Sequence, residues 1–307
     1  MSDIQNKGAK PGTAQWTLIA LIVAFAAGGV LYRELTWHSL GHSAAMFIGV
    51  PAVIAILLAL TPKAKTLTGG ILKAITLALL IVAPLLGEGF LCILMASPLF
   101  YLVGITVGLI VDLSRRRRNT TLSCVVLVLL PMSIEGVIPA LSFNRNQVVE
   151  VRSIVNAPAD LVEQRLALSP DVTLALPAAL RIGFPRPLAA SGSGLEIGST
   201  RTIHFAGAEG DPPGDLTMRV TEHHPGYLRF QTVSDSSKLT QWIAWDSSEV
   251  EWQQLDKTHT LVRWRVHFER QLDPAWYFTP LERAAVNQAA HYLIQANAAP
   301  RVQSRSR

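Results

Sequence analysis

Cysteine is almost missing from this chain. Only Cys92 and Cys124 occur in 307 residues, both inside apolar stretches, which excludes a disulfide framework and a Cys/His metal cluster. Charge is scarce too. Asp, Glu, Lys and Arg make up 16% of the residues, against roughly 25% in an ordinary soluble protein. They are sparse before Asn144 and frequent after it. The formal charge is +5, much of it carried by Arg115–Arg118 and the tail Arg301–Arg307. Neither run is interleaved with aromatics, so no nucleic-acid partner is expected. No Ser-His-Asp arrangement, nucleophile elbow or metal-ligand motif can be placed, and no cofactor is expected.

What is present is a division into two halves. Residues 1–142 read as a membrane domain with five spans: Trp16–Tyr32, Ser43–Thr61, Thr66–Leu86, Phe90–Leu113 and Leu122–Leu141. Each is near the length a helix needs to cross about 30 Å of hydrocarbon. Basic residues orient them. Lys7, Lys10, Lys63, Lys65, Lys73 and Arg115–Arg118 fall on one side, Arg33 on the other. The N-terminus is therefore expected in the cytoplasm. Five crossings place the remainder on the outer side of a bacterial cytoplasmic membrane, periplasmic or extracellular, with the bilayer as a partner. Ala24-Phe25-Ala26 resembles a signal-peptidase site, and cleavage there would remove the first span.

Polar residues near the spans read as ordinary. Glu34, His38 and His42 share helical spacing, yet Ser39-Leu40-Gly41 looks like a connection between spans. Glu88 and Glu135, each before a glycine, read as loop and helix-end residues. No inverted repeat or pair of broken helices suggests transport.

Residues 147–301 read as a soluble domain, and 302–307 as a basic disordered tail. Val148–Val155 has strand alternation, and Pro158 suits the first turn of a helix reaching about Leu168. A poorly patterned stretch follows to Ser193, with a short helix possible over Ala175–Arg181. Period two then sets in, giving strands Ser199–Ala206, Leu216–His223, Tyr227–Val233, Trp242–Gln254 and Thr258–Arg270. Short links between them imply antiparallel neighbours. In the last strand Val262, Trp264, Val266 and Phe268 share one face, and Arg263, Arg265, His267 and Glu269 the other. Pro274–Ala296 closes the domain as a long helix with a stripe of Leu281, Ala285, Gln288, Tyr292 and Ala296. The layout is α+β, a curved antiparallel sheet gripping a C-terminal helix.

The opening Val149-Glu150-Val151-Arg152-Ser153-Ile154-Val155-Asn156-Ala157-Pro158-Ala159-Asp160-Leu161-Val162 resembles that of the START-like, Bet v 1-like superfamily (SRPBCC). The branch it looks most like is the polyketide cyclase/dehydrase type. Leu272-Asp273-Pro274-Ala275-Trp276-Tyr277-Phe278, leading into the long helix, fits as well. The resemblance covers roughly Gln147–Arg301 and says nothing of the membrane half. It implies a helix-grip fold with an elongated apolar cavity between sheet and helix, of the kind that takes lipids, sterols, polyketides or aromatic metabolites in different members. The expected ligand-binding residues are Met218, Val220, Leu228, Phe230, Trp264, Val266, Phe268 and Tyr292. The same alternation would equally build a packed core.

The imidazoles His204, His223, His224, His259, His267 and His291 form no pattern that names an acid or base. Arg201 and Arg219 have the chemistry to orient an acidic head group but read as solvent-facing strand residues. The expectation is a membrane-anchored domain that binds a hydrophobic small molecule or lipid. A polyketide cyclase/dehydrase-like enzyme and a membrane sensor are the alternatives. Oligomeric state is not legible.

Overall fold

The computed structural model describes residues 13, 15–24, 27, 50–61, 64–86, 90–116, 135, 142–181, 183–207 and 212–299. The chain divides into two compact units, Met1–Pro131 and Met132–Arg307.

Four apolar helices are described in the first unit. They are α1 (Gln15–Ala24), α2 (Val50–Leu60), α3 (Leu67–Leu86) and α4 (Phe90–Arg116). A small cluster built on Ile22 and Ala55, with Leu18, Ile19, Leu77 and Ile81 against it, joins the first three. α3 and α4 pack closely because Gly104 and Gly108 offer no side chain: a Cβ on Gly108 would lie 2.7 Å from the Thr68 Cα. Small residues of this kind let helix backbones approach in a membrane-type interface. Two polar contacts pin the pair. Thr76 and Tyr101 hydroxyls meet at 2.7 Å. The Asp112 carboxylate accepts from the Leu67 and Thr68 amides at 3.2 and 3.0 Å, satisfying donors that a helix N-terminus leaves open.

Among the described residues one helix is long and apolar enough to cross a membrane, over Ile93–Asp112, and only 11% of that window is buried. Leu94, Phe100, Leu102 and Leu109 are exposed on it. The apolar parts of α1 and α3 are shorter, Gln15–Ala24 and Leu67–Ile81. Of the five expected spans, the fourth therefore meets the criterion by itself. The fifth lies outside the described residues except for Glu135, as do parts of the first and second. Glu34, His38, His42 and Glu88 also lie outside.

The second unit is a seven-stranded antiparallel sheet in the order β1-β7-β6-β5-β4-β3-β2. Its strands are β1 (Asn146–Val155), β2 (Pro187–Ser191), β3 (Thr200–Phe205), β4 (Gly214–His224), β5 (Tyr227–Asp235), β6 (Ile243–Gln254) and β7 (Thr260–Arg270). A short helix α5 (Ala159–Leu166) follows β1, and the long α6 (Ala275–Asn297) lies on the sheet. This is the helix-grip layout. Irregularities at Thr217/Met218 and Val220/Glu222 in β4 and at Trp245/Ser247 in β6 bend the strands, as bulges do. The short 3-10 turn Ala178–Arg181 stands where a helix over Ala175–Arg181 was expected.

β7 alternates as its sequence predicts: Val262, Trp264, Val266 and Phe268 are buried. Its other face carries an ion-pair ladder shared with β1, β5 and β6. Arg265 reaches Glu150 at 2.8 Å and Glu249 and Glu251 at 3.0 Å, and Arg263 reaches Glu251 at 2.7 Å. Arg265, then Arg152, hold the Glu150 carboxyl below its usual pKa.

Three expectations are corrected. β2 lies within the stretch read as unpatterned. It is a five-residue edge strand beginning at Pro187, too short for alternation to register. The buried stripe of α6 runs through Glu282, Val286, Ala290 and Ile294, while Leu281 and Gln288 are exposed. Of the expected stripe, Tyr292 and Ala296 are buried and Ala285 is half-buried, so the inward face is wider than one stripe and also takes in Glu282. Arg201 is buried, 2% exposed, whereas Arg219 faces solvent. β3 places Arg201 on the same face as the buried Ile203, since side chains two apart on a strand point the same way.

Candidate functional site

The helix does not cover the sheet evenly. α6 packs on β1 and β7, where Val149, Val151, Trp264, Val266 and Phe268 are buried in one apolar cluster with Val286, Ala290 and Ile294. Toward the other edge of the sheet a gap opens. Its strand wall is Ile203 and Phe205 of β3, Leu216 and Met218 of β4, and Ile243 and Trp245 at the start of β6. Its helix wall is Ala285, Val286, Ala289, Tyr292, Leu293 and Ala296. Alanines are the reason the gap exists, because at three of these six positions the helix contributes one methyl.

The segment between α5 and β2 closes the third side with Pro170, Val172, Leu176, Leu180, Phe184 and Pro185. It is tied to the helix by the Asp171 amide, which donates to the Ala296 carbonyl at 2.9 Å, and Phe184 meets Trp242 edge-on at 5.1 Å. Its prolines and absence of strand pattern suit a covering segment more than a core element.

The space opens partly to solvent, and its cavity volume is about 90 Å³. One water needs roughly 10–15 Å³ on that measure, so there is room for a group of several heavy atoms. The wall is nearly all apolar. Among the described residues its one titratable side chain is Tyr292, whose hydroxyl reaches the Leu174 carbonyl at 3.5 Å and whose pKa burial raises, with Asp171 adding to the effect. Among the described residues no group of His, Cys, Asp and Glu can hold a metal.

Of the eight residues expected to contact a ligand, Met218 and Tyr292 line this space. Val220, Leu228, Phe230, Trp264, Val266 and Phe268 are buried in the adjoining core cluster. The wall residues that the alternation did not single out, Ile203, Phe205, Leu216, Ile243 and Trp245, have the same chemistry as those it did. No sequence signal separates cavity wall from core. The histidines lie elsewhere: His204 pairs with Asp215 at 2.6 Å, His259 with Asp256 at 2.8 Å and His267 with Glu249 at 3.3 Å.

Two buried arginines flank the sheet, and they differ. The Arg270 guanidinium pairs with Asp273 and, at 3.2 Å, with Glu135, and donates to the Leu272 and Phe143 carbonyls at 2.9 and 3.0 Å. Glu135, read as a helix-end residue, is thus half of a buried pair. Arg201 donates through Nη2 to the carbonyls of Leu166 and, at 3.2 Å, Gly194, and lies 4.7 Å from the Phe230 ring centre. Its Nε and Nη1 are buried without a hydrogen-bond partner. Burial lowers its pKa to about 10, which leaves it charged at neutral pH. A third buried ionisable group, Glu282 on α6, accepts from the Leu272 amide at 3.2 Å, and its Oε2 has no partner. Burial pushes its pKa up to about 7, against the Leu272 amide and the Arg270 charge.

No protein-family model matches the chain, and no curated protein does. Solved structures do resemble it over about half its length. The aromatase/cyclase Zhui from Streptomyces sp. R1128 is 18% identical over 50% of this chain and 86% of its own, with a TM-score of 0.29. A truncated norcoclaurine synthase from Thalictrum flavum is 13% identical over 49% and 92%, at 0.33. A START superfamily protein from Mycobacterium smegmatis is 12% identical over 48% and 92%, at 0.32. At such identities and scores the likeness is one of fold outline.

Proposed function

We propose that the C-terminal unit binds a hydrophobic small molecule or lipid between α6 and the β3–β4–β6 wall. The observation that carries this reading is a cavity walled by alanine, proline, aliphatic and aromatic side chains, where α6 stands off the sheet. Apolar pockets with few polar groups are the usual form of a small-molecule site. The membrane half anchors this domain. The basic residues of its connections place the N-terminus in the cytoplasm and the binding domain on the outer side, where a bilayer can supply or receive an apolar ligand.

A second reading is a reaction of the polyketide cyclase/dehydrase kind in the same cavity. The buried Tyr292 hydroxyl on the wall favours it, because a phenol that stays protonated there can donate a hydrogen bond to a substrate oxygen. Binding is preferred because, among the described residues, Tyr292 has no second acid or base on the wall with which to complete a proton relay.

The test is native purification of the full chain in nanodiscs, beside an Ala289→Phe variant that fills the gap, followed by solvent extraction and mass spectrometry. An apolar compound present at near one per chain in the parent and lost from the variant supports binding. Identical extracts from both would remove the cavity from consideration. A compound recovered chemically changed after incubation with the parent alone would move the assignment to the enzyme.

A further inference from the structure

The second unit carries an exposed aromatic edge at the point where the chain enters it. Phe143 stands two residues after the end of the fifth expected span, Leu122–Leu141. Two residues of extended chain reach about 7 Å, which is about the depth of the interfacial layer on one side of a bilayer. Three contacts tie the start of α6 to that point. Arg270 Nη2 donates to the Phe143 carbonyl at 3.0 Å and to Glu135 Oε1 at 3.2 Å. The Ala275 amide donates to the same Glu135 oxygen at 3.1 Å, and Trp276 follows directly.

Three apolar side chains at this end are open to solvent: Phe143 is 66% exposed, Trp276 46% and Leu281 37%. Trp276 meets Tyr277 edge-on at 5.7 Å, and Tyr277 meets Phe278 at 4.9 Å, so the first turn of α6 is a run of three rings. Leu281 lies four residues after Tyr277, on the same side of the helix. The charges beneath the edge are paired, Arg145 with Asp273 and Arg270 with Asp273 and Glu135. Moving the edge out of bulk water therefore strands none of these ions. Exposed apolar residues scattered singly need no explanation, but exposed rings at the foot of a span do. Trp and Tyr collect at the headgroup level of membranes because each has an apolar body and a polar tip.

We propose that this edge, Phe143, Trp276 and Leu281, is seated in the headgroup layer of the bilayer, so that the binding domain is held down on the lipid surface instead of swinging from a linker. This rests on the membrane anchor proposed above and assigns the face of the domain that meets lipid. Ile243, which lines the cavity, pairs across the sheet with Arg270, so one wall of the cavity reaches the docked end.

The experiment places a nitrobenzoxadiazole fluorophore on single cysteines of the full chain, with Cys92 and Cys124 replaced by alanine. The chain is held in phosphatidylcholine nanodiscs, with or without a lipid whose doxyl quencher sits near the headgroup. Pro280→Cys labels an exposed position one turn beyond Trp276 and leaves the three edge residues intact. Lys257→Cys labels the β6–β7 turn, about 35 Å away along β7. The doxyl lipid is expected to quench the label at 280 by about half or more and to spare the label at 257, with aqueous iodide doing the reverse. Phe143→Glu combined with Trp276→Glu should lower lipid quenching at 280 by about twofold or more, with urea unfolding of the C-terminal unit unchanged. Quenching of both labels by iodide alone would overturn the proposal. Shielding of position 280 from both quenchers would assign the edge to a protein contact and overturn it as well, as would undiminished lipid quenching in the double variant. A chain that separates from the nanodisc on size exclusion would remove the anchor reading and this proposal together.

Discussion

Glu282 gives the structure a measurable pH dependence. It sits on the buried stripe of α6 with one carboxylate oxygen unpartnered, and burial moves its pKa from 4.5 to about 7. A carboxyl that holds its proton more tightly when folded adds stability below pH 4.5, and that stability is lost as the pH rises through about 7. At about 1.4 kcal/mol for each tenfold change, the full loss is about 3 kcal/mol, an upper value because buried sites relax around a new charge. Glu282→Gln removes the titration and keeps an oxygen to accept from the Leu272 amide. The assay is urea unfolding of the full chain in detergent between pH 5 and 8, followed by tryptophan fluorescence. Trp242, Trp245, Trp252 and Trp264 are all buried in the C-terminal unit and report on its unfolding. The variant is expected to match the parent near pH 5 and exceed it by about 2–3 kcal/mol at pH 8. The difference between the two chains is the quantity to read, because everything else that changes with pH is common to both. A difference that stays constant with pH would refute the argument.

Other consequences follow from the same packing. Arg270→Met leaves Glu135 and Asp273 without their shared cation, and about 3–5 kcal/mol of unfolding free energy should be lost; a loss under 1 kcal/mol would show the pair to be solvated. Ala289→Phe should abolish recovery of a bound apolar compound and change stability by no more than about 1–3 kcal/mol, checked by the extraction and urea curves above. Gly192 has φ +86°, and a Cβ there would run into the Thr200 carbonyl, so Gly192→Ala should lower stability by about 2 kcal/mol or more. Gly108→Leu would force apart the α3–α4 contact at Thr68; loss of resistance to proteolysis in the N-terminal unit, with tryptophan unfolding of the C-terminal unit unchanged, is the expected result.

Much of the C-terminal unit was legible because its strands are half-buried. Alternation in Thr260–Arg270 separates Val262, Trp264, Val266 and Phe268 from Arg263, Arg265 and His267, and short turns force antiparallel neighbours, so the consecutive strand pairs and the closing helix follow from local rules, whereas the pairing of β1 with β7 joins segments far apart in sequence. β2 was not legible, since an edge strand of five residues starting at proline satisfies few of those rules. In the α6 stripe Tyr292 and Ala296 are buried as spaced, but Glu282 is buried beside them, which apolar periodicity does not register because it counts apolar residues alone.

The site itself is a product of tertiary structure. Met218 and Phe230 read alike in sequence, yet one lines the cavity and the other packs in the core, and the difference lies in where α6 stands off the sheet. The same holds for the two arginines of β3 and β4: strand parity turns Arg201 inward and leaves Arg219 in water. By itself the sequence determined that an apolar helical half precedes a half whose strands have one wet face, because hydropathy and period are properties of neighbours along the chain. Only the folded arrangement decided which apolar side chains leave a gap and which cation is buried beside it, because both depend on distances between residues far apart in sequence.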